Sequence, residues 1–416
     1  CGSPQGDPHL GPDRVDGAIA LVLALAALVL YGRTLAPDVL YSDSAEFQTL
    51  AYTLGTTHCT GYPVYLLLAR VVGFIPLQSP AWRINLVSAL AAAVTVAGVY
   101  TLTRTLTRSR LGAAVGSAAL ALSTTFWSQA IIAEVYTPAT AFIIVILNLL
   151  AVWARAPLRC RWLLGLATAL TCLGLGIHAS VPLVAPTAVI FVLWVLVAHR
   201  EKAVRKGLMA AGLGFAVGFA LYALAFALLE LNNPPASFIR VMLYPSRSLW
   251  GLQASEIDGL FERWWWTITG LQWQTAMFPE DVGFWSSLDQ YVGRVVDADF
   301  SWWALVLALV GQWEMRRHRP KFHAFLLGTY LVMSGFILNY HPGDKHLFYL
   351  PTYVILATAM GAGLGALLTW LRRWRHTESG AWRVGEWWLV AVVLIAVVLL
   401  PRAATRWEAL RAGKAT

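Results

Sequence analysis

"GYPVYLLLARVVGFIPL", Gly61 to Leu77, decides how this chain is threaded. If the stretch crosses a membrane, the polar loop before it, 37–60, lies on the cytoplasmic side. If it turns back, that loop lies outside. Arg70 stands at its centre, where inserting an arginine costs on the order of 2.5–3.5 kcal/mol. Pro63 and Pro76 bracket it, and it is short. It reads as an interfacial or half-buried helix that returns to the side it came from.

The rest of the chain supports a membrane setting. Of 416 residues, 58% are hydrophobic and 13% charged, about half the charged fraction of a soluble domain. Many apolar runs reach the roughly 17–25 residues that span a bilayer, and they are continuous rather than alternating. The predicted fold class is therefore an all-α polytopic membrane protein, not a β-barrel. The candidate spans are about eleven: 16–36, 83–106, 111–129, 136–154, 162–177, 181–198, 207–230, 301–315, 322–340, 347–371 and 386–401. The expected organisation is a disordered N-terminus, 1–15, a transmembrane domain, 16–401, and a short tail, 402–416.

The net charge of +9 does not point to nucleic acid. Eighteen of the 31 Lys and Arg residues fall in five short stretches between spans: 104–110, 155–161, 200–206, 316–321 and 372–383. They look like cytoplasmic loops obeying the positive-inside rule. The four cysteines show no CxxC spacing, so no zinc site is indicated.

With Gly61–Leu77 turning back, the opposite face collects acids and histidines. The first outer loop, 37–82, contributes Asp43, Glu46, His58 and Tyr62. "AEVYTP" contributes Glu134 and Tyr136, and "LGIHAS" contributes His178. "NYHPGDKHLFYLP" contributes His341, Asp344, Lys345 and His346, and the long polar segment 231–300 lies there too. Asp43 and Glu46 are three apart, which puts both on one face of a short helix over 43–56, with Ser42 or Asp43 as its N-cap. A carboxylate there could take a proton from an attacking hydroxyl, although an Asp at a helix start also serves as a simple cap. Glu134, close to hydrocarbon, needs a partner. The Lys345 cluster offers the donors a phosphate wants. Twenty tryptophans, many in or beside 231–300, suit an interfacial belt or stacking on a sugar or lipid.

Several phrases taken together resemble one family. "DSAEF" followed by "HCTGYPVY" is similar to the D-x-x-E-F … H-P-P-G-Y-P-L-Y signature of a membrane-protein family first catalogued as a domain of unknown function. Its animal member is a protein O-mannosyltransferase acting on the immunoglobulin-like folds of plexin-type receptors. "RINLVSAL", "AEVYTP", "GIHAS" and "DKHLFYLP" follow in the family's order, between about residues 16 and 355. The sequence departs at Cys59-Thr60, where the family has Pro-Pro, and at Ala45, where it has Gly.

The resemblance implies the GT-C glycosyltransferase fold, with juxtamembrane helices in the first outer loop. It implies an enzyme that moves a hexose, mannose foremost, from a polyprenyl-phosphate carrier to an acceptor hydroxyl, with inversion. In that light Asp43 matches the family's catalytic acidic-residue position, where it would deprotonate or orient the acceptor hydroxyl, and Glu46 is its companion. His58 and Tyr62 shape the donor site. Glu134, Tyr136, His178, Asp344, Lys345 and His346 contact acceptor or phosphate. No cofactor is required, although Asp43 and Glu46 could hold a divalent cation. The expected partners are a lipid-linked donor, a protein or glycan acceptor and the bilayer. The expected location is the plasma membrane of a prokaryote, with the site extracytoplasmic. Two alternatives stay open: a GT-C transferase acting on a lipid or cell-wall glycan, and an ion- or proton-coupled transporter using the same acids.

Overall fold

A computed structural model describes residues 12–198, 201–279 and 283–377. The chain is almost entirely helical, with no strand among the described residues. In order, the helices are α1 Arg14–Thr34, α2 Asp43–Thr53, α3 Pro63–Gly73, α4 Pro80–Leu106, α5 Arg110–Ala121, α6 Thr124–Ala130, α7 Tyr136–Trp153 and α8 Arg161–Leu173. They continue as α9 Ala185–Val197, α10 Glu201–Asn232, α11 Tyr244–Ser246, α12 Leu260–Thr269, α13 Phe284–Gly293, α14 Trp302–His318, α15 Pro320–Leu338 and α16 Leu350–Thr377.

Local sequence explains where they start. Asp13 and Asp16 form a capping box on α1, so that helix begins two residues earlier than the hydropathy suggests. The hydroxyls of Ser79 and Ser109 accept backbone N–H groups at the starts of α4 and α5. Pro63 opens α3, where a missing N–H costs nothing.

Ten of the eleven expected spans coincide with helices, and the eleventh, 386–401, lies outside the described residues. The span count is smaller than expected. Six described helices are long and apolar enough to cross a bilayer, or up to eight if each bent pair is one span. The reason is local. The apolar run 111–129 is bent by 67° between α5 and α6, and α8 and α9 are each 13 residues long. α3 is 11 residues, about 16 Å at 1.5 Å per residue, too short to cross roughly 30 Å of hydrocarbon. Arg70 on α3 avoids lipid by lying over the rings of Tyr52, at 5.4 Å, and Phe74, at 4.7 Å.

The core forms around α4, α7 and α16. α5 approaches α16 through two matched small-residue rows, Gly112-x-x-x-Gly116 and Gly361-x-x-x-Gly365. A Cβ on Gly112 would lie 2.3 Å from the Gly361 carbonyl oxygen, so only glycine lets the backbones meet. The bundle has a polarity. α7 and α16 each run from a cavity at one end to a basic stretch at the other.

Candidate active site

The cavity has a volume of about 1430 Å3, beyond the roughly 300–1,000 Å3 of an ordinary small-ligand pocket. Its walls come from the first outer loop, the 124–136 stretch, the loop at His178, the long segment after α10, and the turn at 342–348.

Buried side chains fix the first loop. Gln48 on α2 donates to Asn85 Oδ1 on α4 at 2.8 Å, and Asn85 donates to the Ala36 carbonyl at 2.9 Å. Ser44 donates to the Ala133 carbonyl at 3.0 Å. Ser88 on α4 bonds both the carbonyl and the N–H of Glu134, at 3.0 and 3.2 Å. α2 and the 131–135 loop are therefore clamped to one helix, and the acids of both face one cavity.

The N-cap position falls on Ser42, at a positive φ of 58°, and its side chain makes no capping bond. Asp43 is thus helical and not committed to capping; its side chain is 46% exposed. Glu46 accepts from the His58 backbone N–H at 3.0 Å and pairs with His58 Nδ1 at 2.6 Å. His58 Nε2 lies 3.8 Å from Asp43 Oδ2. Burial alone would lower the His58 pKa, but the Glu46 hydrogen bond and the charges of Glu46, Asp43 and Asp344 raise it, so the ring is biased toward imidazolium. One donor atom from each of Asp43, Glu46 and His58 lies within 4.8 Å of the others, near enough to share a cation.

Glu134 is 8% exposed and lines the cavity. Burial, then the charges of Asp43 and Asp344, push its pKa well above the usual carboxylate range. His178 Nδ1 accepts the Ser180 N–H at 3.2 Å, so the neutral ring carries its proton on Nε2. Burial, and the His58 charge beyond it, push its pKa down to about 3. His178 stacks on Tyr62 with ring centroids 6.3 Å apart. Tyr136 donates to Asp344.

Asp43, Glu46, His58, Tyr62, Glu134, Tyr136, His178, Asp344 and His346 all line this cavity. Lys345 does not. Its ammonium turns to Ser287 Oγ at 3.0 Å and to His341 and the Leu338 carbonyl, tying α13 to the 339–349 turn. Successive residues of a tight turn point in different directions, so adjacency to Asp344 and His346 did not place Lys345 with them.

Sequence reasoning missed Arg294 and Gln129. Arg294 enters from the end of the long outer segment. It donates to Thr125 Oγ1 at 3.1 and 3.0 Å and lies 3.5 Å from Asp299 Oδ2. Asp299 in turn accepts from the Thr125 N–H at 2.6 Å and from Tyr353 at 2.9 Å. Neither residue stands in a patterned stretch. The available signal was a lone Arg-to-Asp spacing of five and a polar Gln within an apolar run.

The arrangement of short juxtamembrane helices, kinked spans and one large cavity at a bundle end is the GT-C fold. The Archaeoglobus fulgidus oligosaccharyltransferase, solved tethered to an acceptor peptide, shares it at TM-score 0.55 and 12% identity, over 93% of this chain and 54% of that one. ArnT from Cupriavidus metallidurans, solved bound to undecaprenyl phosphate, shares it at TM-score 0.52 and 14% identity, over 97% of this chain and 74% of that one.

Similarity in sequence is narrower than the fold. Residues 43–204 match the family described as protein O-mannosyl-transferase TMEM260 N-terminal domain. The mouse protein O-mannosyl-transferase TMEM260 is 30% identical over 128 residues, which are 30% of this chain and 18% of that protein. The resemblance read from the acidic motif is borne out, and the chain is an integral membrane protein of GT-C fold.

Proposed function

We propose that this chain transfers a hexose, mannose foremost, from a polyprenyl-phosphate carrier to a hydroxyl of a protein Ser or Thr on the extracytoplasmic face. One observation carries the reading. Asp43 presents a half-exposed carboxylate, free of capping, to a large cavity at the end of the bundle remote from the basic stretches. The TMEM260 match supports the activity, and the lipid phosphate held by ArnT supports the donor class.

Asp43 accepts the proton of the acceptor hydroxyl as that oxygen attacks the anomeric carbon. The Glu46–His58 pair fixes the ring beside Asp43 and keeps a positive charge near it. The lipid phosphate leaves as an anion, so no strong acid is needed. Arg294 faces the cavity as a cationic group and would stabilise the departing charge, with His346, biased toward the neutral ring by burial and the Arg294 charge, beside it as a hydrogen-bond donor. The donor's lipid tail meets the apolar wall that includes Phe336, Leu347 and Phe348.

A resident metal is not required by this scheme. Asp43, Glu46 and His58 could hold one, but the Glu46–His58 hydrogen bond already uses a carboxylate oxygen and a ring nitrogen that a cation would need. Turnover should therefore survive exhaustive chelation; loss on chelation and recovery with a divalent cation would assign these three as ligands. The mouse relative does not single out a prokaryotic plasma membrane, and the site's position opposite the basic loops is what supports an extracytoplasmic face.

The direct test uses purified protein in nanodiscs with polyprenyl-phosphate mannose labelled in the sugar. Label should move to a Ser/Thr-bearing acceptor, and Asp43→Asn should abolish the transfer with folding retained. Equal turnover in both would remove Asp43 from the mechanism. Labelled glycolipid in place of labelled protein would favour the lipid-acceptor alternative.

A further inference from the structure

We propose that Gln129 reads a hydroxyl of the transferred sugar, an inference that rests on the glycosyl-transfer reading above and narrows it to one side chain. Gln129 stands near the end of α6, 5% exposed, yet on the cavity wall. Its Nε2 reaches Ser128 Oγ only at 3.4 Å, and its Oε1 has no hydrogen-bond partner among the described residues. Buried polar atoms in folded proteins are mostly paired, so an orphan amide oxygen just beneath the surface of a cavity-lining residue marks a side chain with a bond still to make, within a rotation of the amide from the cavity. Turning the amide over exchanges which end is free and leaves a free end either way.

The chemistry of the cavity says what the ligand atom is. Asp43, Glu46, Glu134 and Asp344 are carboxyl groups, His58 is already paired with Glu46, and Arg294 brings a guanidinium. A neutral amide suits neither anion nor proton transfer. It suits a neutral donor, such as a sugar hydroxyl or a peptide N–H.

Position selects the sugar. Arg294 is held on Thr125 Oγ1, and Thr125 and Gln129 are four residues apart on α6. They share a helix face, on the order of 5–6 Å apart. A phosphate drawn to Arg294 carries its sugar through a single oxygen, so the ring lies about one helical turn away, beside Gln129. The acceptor is tied instead to Asp43 on α2. Gln272, from the long outer segment, lines the same cavity and also has an unpartnered Oε1 among the described residues, so the wall facing a polyol is amide-rich from two elements.

The test compares polyprenyl-phosphate mannose with its four monodeoxy analogues, in nanodiscs, for wild type and Gln129→Met. Methionine keeps the length and removes the acceptor; Gln129→Ala gives the same readout if Met overfills the site, and Gln129→Glu keeps the oxygen. In wild type, removing the hydroxyl that Gln129 reads should cost about tenfold or more in kcat/KM. In Gln129→Met that one penalty should collapse to about twofold while the other three persist, and Gln129→Glu should restore part of it. All four penalties persisting in Gln129→Met would overturn the proposal. So would all four collapsing together, or a change confined to the acceptor's KM, which would place Gln129 against the acceptor. If wild type turns over no lipid-linked sugar, the transfer reading itself falls; if wild type turns over and only the deoxy pattern fails, this inference alone falls.

Discussion

The two ends of this bundle use the same kinds of residue in opposite ways. At the basic end, Asp16 is fully buried and its Oδ1 accepts from Tyr100 at 2.9 Å, Arg104 at 3.0 Å and Arg110 at 2.9 Å. Its Oδ2 accepts the Asp13 N–H at 3.0 Å. That cluster is saturated and joins α1, α4 and α5. At the cavity end, Asp43 has Ser42 Oγ at 3.3 Å and His58 at 3.8 Å. Glu134 is buried among like charges, and Gln129 Oε1 is without a partner among the described residues. A saturated carboxylate holds helices together. An unsaturated one is open to a ligand. Charge alone did not separate the two roles; counting each group's partners did.

The sharpest way to break this contrast is one change made at both ends. Asp16→Asn leaves Arg104 and Arg110 beside a neutral amide, and removing one member of a buried ionic cluster costs about 3–5 kcal/mol. The variant should melt far below wild type in detergent, or fail to accumulate. Asp43→Asn should leave the melting temperature where it was and cut turnover by about 10²–10⁴, the share of a general base. A stable, inactive Asp16 variant, or an unfolded Asp43 variant, would erase the division of labour between the ends.

Arg294 gives the next largest effect. Its guanidinium faces the cavity, oriented by Thr125 and Asp299. Losing one charge-assisted contact of about 1.5–3 kcal/mol should raise the donor KM by roughly 10–150-fold in Arg294→Ala. Asp299→Asn should raise it less, through misplacement of the arginine. An unchanged donor KM in Arg294→Ala, with kcat also unchanged, would leave the lipid phosphate elsewhere.

What could be read in the sequence was what is local along the chain. Asp43, Glu46 and His58 lie within one loop, and the central Arg70 and short length of Gly61–Leu77 placed that loop on the side away from the basic stretches. The bend between α5 and α6 was not legible, because "LALSTTFW" continues the apolar run through Leu122 and Ser123 without proline or glycine. That bend turns α6 so that Thr124, Ser128 and Gln129 line the cavity. Arg294 was hidden for a different reason. Segment 231–300 has no helical period, being a series of short helices stitched down at separated points: the Phe238 N–H to the Thr56 carbonyl at 2.9 Å, and the Phe278 N–H to the Asn339 carbonyl at 2.8 Å. Its far end is then joined to α6 by bonds equally remote in sequence, such as the Thr124 hydroxyl to the Ala298 carbonyl at 2.7 Å.

The smallest effect sharpens the comparison most, because the same change from carboxyl to amide should change sign between the two ends. Burial and the charges of Asp43 and Asp344 raise the Glu134 pKa well above its ordinary 4.5. A carboxyl whose folded pKa is raised contributes stability that is complete below the unfolded value. That contribution is lost as pH rises toward the folded value. At pH 4 Glu134→Gln should therefore melt with wild type or slightly below it. As pH rises above 4.5 the wild type carries a growing cost of keeping a buried acid protonated, and glutamine carries none. The variant should rise above wild type by a few degrees at pH 7.5, on the scale of about 2–4 °C per kcal/mol. Asp16→Asn, at the saturated end, should be destabilising at that same pH. A Glu134→Gln variant that melts below wild type at every pH would show Glu134 ionised and paired, and the cavity end would then be as saturated as the basic one.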